Sequence, residues 1–295
     1  MPYKSGYVAI VGKPNVGKST VLNYLLGTDL AIVTPKPETT RNKLLGTLTA
    51  ERGQINFIDT PGIHISHTLL GKHMVRQAKE ALEDADLVLA VVVAKKQFDK
   101  NDMALFDAVR QAGKSSILLI NKVDLVDKRF LLPLIEKCSK MGIFKDFIPI
   151  SAKHGDNMKV LEQKIFEFLP AGDKFFPDDH LTDRPQRFFI SEAIRKQVLD
   201  LTKEEVPHSV AVLVEEVKSR PKNTTYIQAT IFVERESQKG IIIGKSGRML
   251  KNIGEAARED IEKQLQTKVF LQLWVKVYKN WRCDPRALKM LGYAE

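Results

Sequence analysis

Residues 12–19 read Gly12-Lys13-Pro14-Asn15-Val16-Gly17-Lys18-Ser19, and the rest of the chain can be placed relative to them. Their spacing, G-x-x-x-x-G-K-[ST], is typical of loops that bind a phosphate chain. Residues 7–11 form an apolar, mostly β-branched run, which predicts a buried strand. Residues 20–26 have a helical pattern, and Gly27 is placed to end that helix. The loop therefore lies between a strand and a helix N-terminus, where phosphate binding is expected.

The residue types within this loop have separate chemical roles. Gly12 and Gly17 allow backbone N–H groups to close around a phosphate without a Cβ in the way. Lys18 is expected to reach the β- and γ-phosphates of a nucleotide, and Ser19 is expected to bind Mg²⁺. The remaining candidate contacts of the loop are Lys13, Pro14, Asn15, Val16 and Thr20. The alternative is a glycine-containing turn that matches the spacing by chance.

A second loop is predicted over residues 28–41, which contain two prolines and several hydroxyl side chains. Either Thr39 or Thr40 is expected to bind Mg²⁺ in the triphosphate state only, and Thr40 is the preferred candidate. The sequence therefore predicts that this loop responds to the γ-phosphate.

A third segment, Asp59-Thr60-Pro61-Gly62, follows a strand predicted over residues 54–58. A carboxylate at the end of a strand beside a phosphate loop can hold Mg²⁺ through water. We expect Asp59 to have this role and the N–H of Gly62 to contact the γ-phosphate. Thr60, Pro61 and the following Ile63 complete the candidate contacts of this segment.

The group Asn121-Lys122-Val123-Asp124 follows a predicted strand at 116–120 and has the chemistry to recognise guanine. The carboxylate of Asp124 can accept hydrogen bonds from N1–H and the N2 amine, whereas adenine would present it with an acceptor. The stem of Lys122 can cover the base, and Asn121 can contact the base or brace the loops. After the predicted strand 147–150 come Ser151, Ala152 and Lys153, and the N–H of Ala152 is expected to meet guanine O6.

Strands and helices alternate over the first 170 residues, which predicts a mostly parallel sheet with helices on both faces. The further strands are expected at 44–49 and 87–93, and the further helices at 74–85, 102–111, 130–140 and 158–169. Residues 63–73 are expected to be irregular and mobile. Their three histidines, His64, His67 and His73, fit no usual metal-ligand spacing and are interpreted as loop residues.

Taken together, these motifs resemble the translation-factor-related GTPases over residues 6–170. The resemblance implies an α/β P-loop domain that binds GTP and GDP with Mg²⁺ and hydrolyses GTP, with Lys18, Thr40 and Gly62 as catalytic residues. One position departs from the Ras-like pattern, because Ile63 stands where those enzymes place a water-orienting Gln. Slow intrinsic turnover is therefore expected.

Asn15 has two open explanations. GTPases with this phosphate-loop Asn resemble a group that binds K⁺ there, with the ion in place of an arginine finger. The alternative is a side-chain hydrogen bond that shapes the loop.

A second domain is predicted after a linker at 171–186, which is rich in proline and aspartate. Its expected order is helix 188–202, strands 210–217 and 226–234, helix 237–243, a second helix and strand 269–277. Between the two later helices lies Gly244-Lys245-Ser246-Gly247. The domains are therefore placed at 1–170 and 187–295.

This order and the G-x-x-G turn resemble the α+β KH domain in its prokaryotic, type II form. The resemblance implies that the turn clamps about four nucleotides of single-stranded RNA. The candidate RNA contacts are Ile243, Gly244, Lys245, Ser246, Gly247, Arg248 and Lys251. The alternative is a tight turn between helices whose charges only face solvent.

The charge distribution supports a nucleic-acid partner. The net charge is +10, and residues 235–289 contain 13 basic and 6 acidic residues. The chain ends with aromatic residues among basic ones, for which base stacking or packing onto the domain are both open. These residues are Lys276, Tyr278, Lys279, Trp281, Arg282, Arg286 and Tyr293.

A reducing, cytoplasmic location is expected, because the two cysteines lack metal spacing and no apolar run approaches 18 residues. A GTPase domain followed by a KH domain resembles a bacterial family of ribosome-assembly GTPases. That resemblance implies the 3′ end of small-subunit rRNA as ligand, the small ribosomal subunit as partner and peripheral membrane contact, with no DNA expected. Two alternatives remain, an RNA-modifying GTPase and an RNA-binding module with a structural nucleotide site.

Overall fold

A computed structural model describes residues 2–36, 38–63, 68–95, 97–202, 206–221 and 223–294. The described chain forms two compact units. The first contains described residues within 1–31, 40–66 and 74–183, and the second contains those within 32–39, 67–73 and 184–295. Residues 171–183, expected in the linker, therefore belong to the first unit.

The first unit is built on a six-stranded sheet with the order β2-β3-β1-β4-β5-β6. Its strands are β1 (Lys4–Gly12), β2 (Leu44–Ala50), β3 (Gly53–Asp59), β4 (Leu87–Val93), β5 (Ser115–Asn121) and β6 (Asp146–Pro149). Only β2 pairs antiparallel, with β3, among the pairs of this sheet. The mostly parallel sheet predicted from the alternating pattern is confirmed.

Among the described residues, four α-helices connect these strands: α1 (Lys18–Leu26), α2 (Leu69–Asp84), α3 (Lys100–Ala112) and α4 (Leu131–Ser139). A fifth, α5 (Met158–Phe168), follows β6. The prediction of irregular chain at 63–73 is wrong for residues 69–73, which form the first turn of α2. The reason is that Leu70 and Met74, four residues apart, are both buried and extend the apolar face of the helix. His64 and His67 lie outside the described residues.

The sheet brings the candidate nucleotide segments to one edge. Strands β1 and β4 lie at its centre and are almost fully buried, as expected for parallel strands covered on both faces. Strand β1 runs parallel to β3 on one side and to β4 on the other, and β4 runs parallel to β5. The carboxyl ends of β1, β3 and β5 therefore deliver residues 12–19, 59–62 and 121–124 to the same edge, where α/β sheets bind their ligands.

The chain after α5 is held on the first unit by Gln54. Its Oε1 accepts the N–H groups of Phe175 and Phe176, at 2.9 and 3.0 Å, and its Nε2 donates to the Phe176 carbonyl. Ala171 also forms a bridge with Lys4. Because Gln54 is fully buried in β3, these bonds satisfy its amide and tether the segment.

The second unit contains a three-stranded sheet, β7 (Ala211–Arg220), β8 (Thr224–Val233) and β9 (Lys268–Val277), in the order β7-β8-β9. Strand β7 is antiparallel to β8, and β9 is parallel to β8. Its helices are α6 (Gln186–Leu201), α7 (Val206–Ser209), α8 (Glu236–Ile243), α9 (Arg248–Leu265) and α10 (Pro285–Met290). The predicted helix–strand–strand–helix–helix–strand order is confirmed, with the short helices α7 and α10 added.

The aromatic residues at the chain end pack inside the second unit. Trp281 is fully buried, its indole Nε1 donates to the Ser209 carbonyl at 2.8 Å, and Tyr293 stacks on it at 5.8 Å. Leu288 is also buried. Base stacking by Trp281 and Tyr293 is therefore wrong, because both rings close the core instead.

No helix in the described part of the chain combines the length and the apolar character needed to cross a bilayer.

Candidate functional site

The phosphate loop has the backbone shape that its glycines predicted. Gly17 lies directly before α1 with φ of 102°, and a Cβ there would collide with the side-chain amide of Asn121. A Cβ at Gly12 would lie 2.5 Å from the Val91 carbonyl oxygen. Both positions therefore require glycine, and the N-terminus of α1 opens directly from the loop.

Lys18 lies inside this loop with its side chain buried. Its Nζ donates to the carbonyls of Gly12 and Lys13, at 3.2 and 2.9 Å. Burial lowers the pKa of Lys18 to about 8, although the negative charge of Asp59 acts in the opposite direction. A phosphate in the loop would supply the anionic partner that this buried ammonium group needs.

Three oxygen-bearing side chains converge beside Lys18. The Ser19 hydroxyl donates to Asp59 Oδ2 at 2.8 Å, and the Thr40 hydroxyl lies 3.0 Å from Ser19 Oγ and 3.2 Å from the same carboxylate oxygen. Asp59 is fully buried, and its Oδ1 has no hydrogen-bond partner among the described residues. Burial raises the pKa of this carboxyl group, against the opposing charge of Lys18.

This donor set fits Mg²⁺, which prefers hydroxyl and carboxylate oxygens. The fit also accounts for the unpartnered Oδ1 of Asp59, since a cation would satisfy a buried carboxylate. Thr39 does not join the set. Its hydroxyl donates to the Lys36 carbonyl at 2.8 Å, and its own carbonyl accepts from Arg195.

The segment after Asp59 is tied to the phosphate loop. The Thr60 hydroxyl donates to the Ile10 carbonyl at 2.8 Å, and the Ile63 N–H donates to the Gly12 carbonyl at 3.2 Å. A Cβ at Gly62 would lie 2.7 Å from Pro14, so glycine is required for this close approach. The Ile63 side chain packs against the apolar core and offers no hydrogen bond to a water molecule.

At the base-recognition end, Asn121 braces the loops. Its Nδ2 donates to the Val16 carbonyl at 2.8 Å, and its Oδ1 accepts the N–H groups of Lys122 and Ala152, at 2.8 and 3.1 Å. The Ala152 N–H expected at guanine O6 is thus bonded to Asn121 here. Lys122 Nζ donates to the Asn15 carbonyl at 2.8 Å, which links this segment to the phosphate loop.

Asp124 is oriented by a neighbour that the sequence placed in the same site. The Ser151 hydroxyl donates to its Oδ1 at 2.6 Å, and this bond holds the pKa of Asp124 below its ordinary value. The carboxylate therefore stays ionised and ready to accept the two N–H groups of guanine. His154, which no motif pointed to, lies 3.8 Å from Oδ2. Val123 is buried beneath this segment, whereas Lys153 is exposed.

The Lys13 side chain takes part in a charge cluster that sequence reasoning missed. Its Nζ lies 2.6 Å from Asp99 and 2.8 Å from Asp102, and Lys95 contacts the same two carboxylates. The two lysines lower the pKa of Asp99 well below its usual range. Asp99 and Asp102 form a capping box at the start of α3, a pattern visible in the sequence, but nothing local connects it with the phosphate loop.

The turn between α8 and α9 has three residues with left-handed φ values: Gly244 (70°), Ser246 (54°) and Gly247 (77°). A Cβ at Gly244 would lie 2.6 Å from that of Met249, whereas a Cβ at Gly247 would have no atom within 4 Å. Lys245, Ser246, Arg248 and Lys251 are exposed, and Ile243 is half-buried. The turn thus presents open backbone and cations to solvent.

Comparison with known families defines the class of both parts. Residues 7–122 match the family described as 50S ribosome-binding GTPase, and residues 205–282 match the KH domain. With the sites described above, this defines a P-loop GTPase joined to a KH domain.

Full-length relatives give the particular family. The chain is 47% identical over 294 residues to GTPase Era of Syntrophus aciditrophicus (strain SB), which covers 99% of this chain and 96% of the relative. A crystal structure of Era with MgGDPNP and nucleotides 1506–1542 of 16S ribosomal RNA is 42% identical with a TM-score of 0.97, covering 99% and 100% of the two chains. A variant of Aquifex aeolicus Era bound to GDP and AlF₄⁻ is also 42% identical, with a TM-score of 0.96 and the same coverage. The chain belongs to the Era family of GTPases.

Proposed function

We propose that this protein is a GTP-hydrolysing switch that binds single-stranded RNA at the 3′ end of small-subunit rRNA and acts in assembly of the small ribosomal subunit. The observation that supports this most is the convergence of all the GTPase motifs at one sheet edge, in a chain that also carries an exposed G-x-x-G turn. The Era relative solved with a 16S rRNA fragment supports the choice of RNA.

In this proposal the described side chains divide the work of nucleotide binding. The phosphate loop and Lys18 hold the phosphates, Asp124 reads the base, and the Gly62 N–H contacts the γ-phosphate. Ser19, Thr40 and Asp59 hold Mg²⁺, which neutralises charge that develops on the phosphate oxygens. The remaining nucleotide contacts are Lys13, Pro14, Asn15, Val16, Thr20, Thr60, Pro61, Ile63, Asn121, Lys122, Val123, Ser151, Ala152 and Lys153.

Hydrolysis is proposed to depend on positioning and electrostatic stabilisation, because Ile63 cannot orient a water molecule. Asn15 is proposed as a K⁺ ligand that supplies positive charge in place of an arginine finger. Its left-handed φ of 61° fits the other explanation, a residue that shapes the loop, since asparagine tolerates that conformation.

The RNA contacts are proposed to be Ile243, Gly244, Lys245, Ser246, Gly247, Arg248 and Lys251. As domain boundaries we propose 1–170, a linker at 171–186 and 187–295, and the division of the compact units after Asp183 falls inside that linker. A cytoplasmic location with peripheral membrane contact is proposed from the family resemblance alone.

Crosslinking tests this function directly. RNA crosslinked to the protein in cells and then sequenced is expected to map to the 3′ end of small-subunit rRNA. Phosphate release from GTP, measured beside Lys18→Ala, distinguishes a switch from a module whose nucleotide is only structural. Crosslinks confined to tRNA would contradict the assembly role and favour an RNA-modifying enzyme.

A further inference from the structure

The sheet of the second unit has one face that packs against helices and one that is open. Side chains alternate along β9, so that Val269 and Leu271 contribute to the helix-side core while Phe270 and Trp274 point away from it. Phe270 is 56% exposed and Trp274 is 50% exposed. Two large aromatic side chains are thus held in water by a regular strand, although apolar residues of this size are usually buried.

Neighbouring residues extend this pair into an aromatic surface. Tyr226 is the register partner of Phe270, and their rings lie 5.9 Å apart at an angle of 18°. The Arg220 guanidinium lies 4.2 Å from the Tyr226 ring centroid and 5.8 Å from that of Phe270. The Tyr226 hydroxyl donates to Gln272 at 2.7 Å, which fixes the ring. The open face therefore carries ordered rings with a cation above them.

The charges of this face are mostly positive. The basic side chains on it are Lys218, Arg220, Lys268 and Lys276, and the acidic ones are Glu215 and Glu216. Glu215 accepts from Gln228 at 2.7 Å and from Thr230 at 2.8 Å, and Glu216 pairs with Lys218. Lys276 Nζ also lies 3.7 Å from Glu215, and Lys268 Nζ lies 3.6 Å from Glu262 of α9. With four basic and two acidic side chains, the face keeps a net positive charge beside its aromatic rings.

We propose that the open face of this sheet binds single-stranded RNA, whose bases stack on Phe270 and Trp274. Arg220 and Lys276 contact the phosphates. Aromatic rings combined with cations are how proteins bind single strands without reading their sequence, whereas a protein-docking surface would favour a lower charge. The inference rests on the proposed RNA-binding function and adds a second contact to it.

The position of β9 connects this face with the G-x-x-G turn. Strand β9 is the edge of the sheet and contacts both α8 and α9, the helices that the turn joins. On the helix side, a Cβ at Gly254 of α9 would lie 3.6 Å from Leu273 of β9. An RNA strand held at the turn can therefore pass around the β9 edge and reach the open face.

Tryptophan fluorescence of the full chain tests the proposal. The chain has two tryptophans, and because Trp281 is fully buried, a base that stacks on the surface quenches Trp274 only. We expect a single strand of about twelve nucleotides to quench the emission, and one of about four, enough for the turn alone, to leave it unchanged. Trp274→Phe is expected to remove the response.

Affinity measurements complete the test. Phe270→Ala and Trp274→Ala are each expected to weaken binding of the longer RNA by about 5- to 100-fold, the loss of one base stack, with GTP hydrolysis unchanged. Phe130→Ala is the matched control, because Phe130 is 45% exposed but lies in the first unit. Its affinity for both RNAs is expected to equal that of the wild type.

The outcomes separate this proposal from the proposed function. If Gly247→Asp abolishes binding of the short RNA while Phe270→Ala and Trp274→Ala bind the longer RNA normally, the open sheet face does not bind RNA. The proposed RNA contact at the G-x-x-G turn is then retained. If the wild type binds neither RNA, both are wrong. If RNA leaves the Trp274 emission unchanged while purified small-subunit ribosomal proteins alter it, the face docks protein and the RNA assignment is overturned.

Discussion

At the scale of single residues, the proposed recognition of guanine depends on how Asp124 is held. The Ser151 hydroxyl fixes one carboxylate oxygen and keeps the pKa of the group low, so an ionised acceptor faces the place of the base. The bracing residue Asn121 sets the backbone around it. In the proposed site, specificity therefore comes from one residue that contacts the base and from neighbours that hold it in place.

Asp124→Asn tests whether the Asp124 carboxylate recognises guanine. The amide cannot accept both N–H groups of guanine, and it can donate to the carbonyl that xanthine has in place of the amine. We expect GTP affinity to fall by about 10- to 100-fold, the loss of hydrogen bonds to a charged group, with preference moving to xanthosine triphosphate. Competition binding measures this, and an unchanged preference for GTP would show that the base lies elsewhere.

Comparing GTP turnover in KCl and NaCl tests whether Asn15 binds K⁺. If it binds K⁺, GTP turnover in KCl is expected to exceed turnover in NaCl at equal ionic strength, and Asn15→Ala is expected to remove the difference. Initial rates of phosphate release are the measurement. Equal rates in the two salts for the wild type would leave Asn15 with only a structural role.

At the scale of elements, the loop before β2 assigns different tasks to adjacent threonines. Thr40 joins Ser19 and Asp59, whereas the Thr39 hydroxyl bonds back to Lys36 and its carbonyl accepts from Arg195 of α6. Substitution of Thr40 can therefore be compared with the same substitution of Thr39 as its control.

Thr40→Ala is expected to weaken Mg²⁺-dependent binding of a non-hydrolysable GTP analogue while leaving GDP affinity nearly unchanged. Thr39→Ala is the matched control, since its hydroxyl lies outside the oxygen cluster. Titration with the analogue at several Mg²⁺ concentrations measures the effect. Equal losses in both variants would contradict the assignment of Thr40.

Helix α6 carries an ion pair between a buried arginine and a glutamate that is 15% exposed, which the sequence pattern did not indicate. Arg195 is 1% exposed and pairs with Glu192 one turn earlier. Glu192→Gln leaves the guanidinium without its counter-charge, so we expect the free energy of unfolding to fall by about 3 kcal/mol. Combining it with Arg195→Met is expected to recover part of the loss. A change below about 1 kcal/mol in urea unfolding would contradict this account.

Contacts between elements also show which features could be predicted from the sequence and which could not. Strand β4 was predicted with its observed bounds, because seven consecutive apolar residues leave little choice. The candidate phosphate loop and guanine-recognition segment could be proposed from the sequence because their chemistry is local. The early start of α2, the burial of Trp281 and the cluster of Lys13 with Asp99 depend on contacts between residues far apart in sequence, which periodicity does not record.

At the scale of the whole molecule, two activities occupy two compact units that each contain their own core. The residues of the proposed nucleotide site lie in the first unit, and the G-x-x-G turn and open sheet face belong to the second. A change confined to the turn should therefore remove one activity and spare the other.

Gly247→Asp is the most direct test of a GTPase that clamps RNA. The new side chain has room, since no atom lies within 4 Å of its Cβ, and its charge repels phosphate. Gly292→Asp is the matched control, because Gly292 has a similar φ, 73° against 77°, open space at Cβ and a place in the same unit.

Lys245→Ala and Arg248→Ala are expected to act more mildly, each flattening the salt dependence of binding by roughly 0.7 in log–log slope.

The measurement is binding of a short single-stranded RNA, run beside GTP binding and a melting curve for each variant. The account predicts that Gly247→Asp loses RNA binding and keeps GTP affinity, while Gly292→Asp keeps both. A folded Gly247→Asp protein with wild-type affinity for RNA would contradict it.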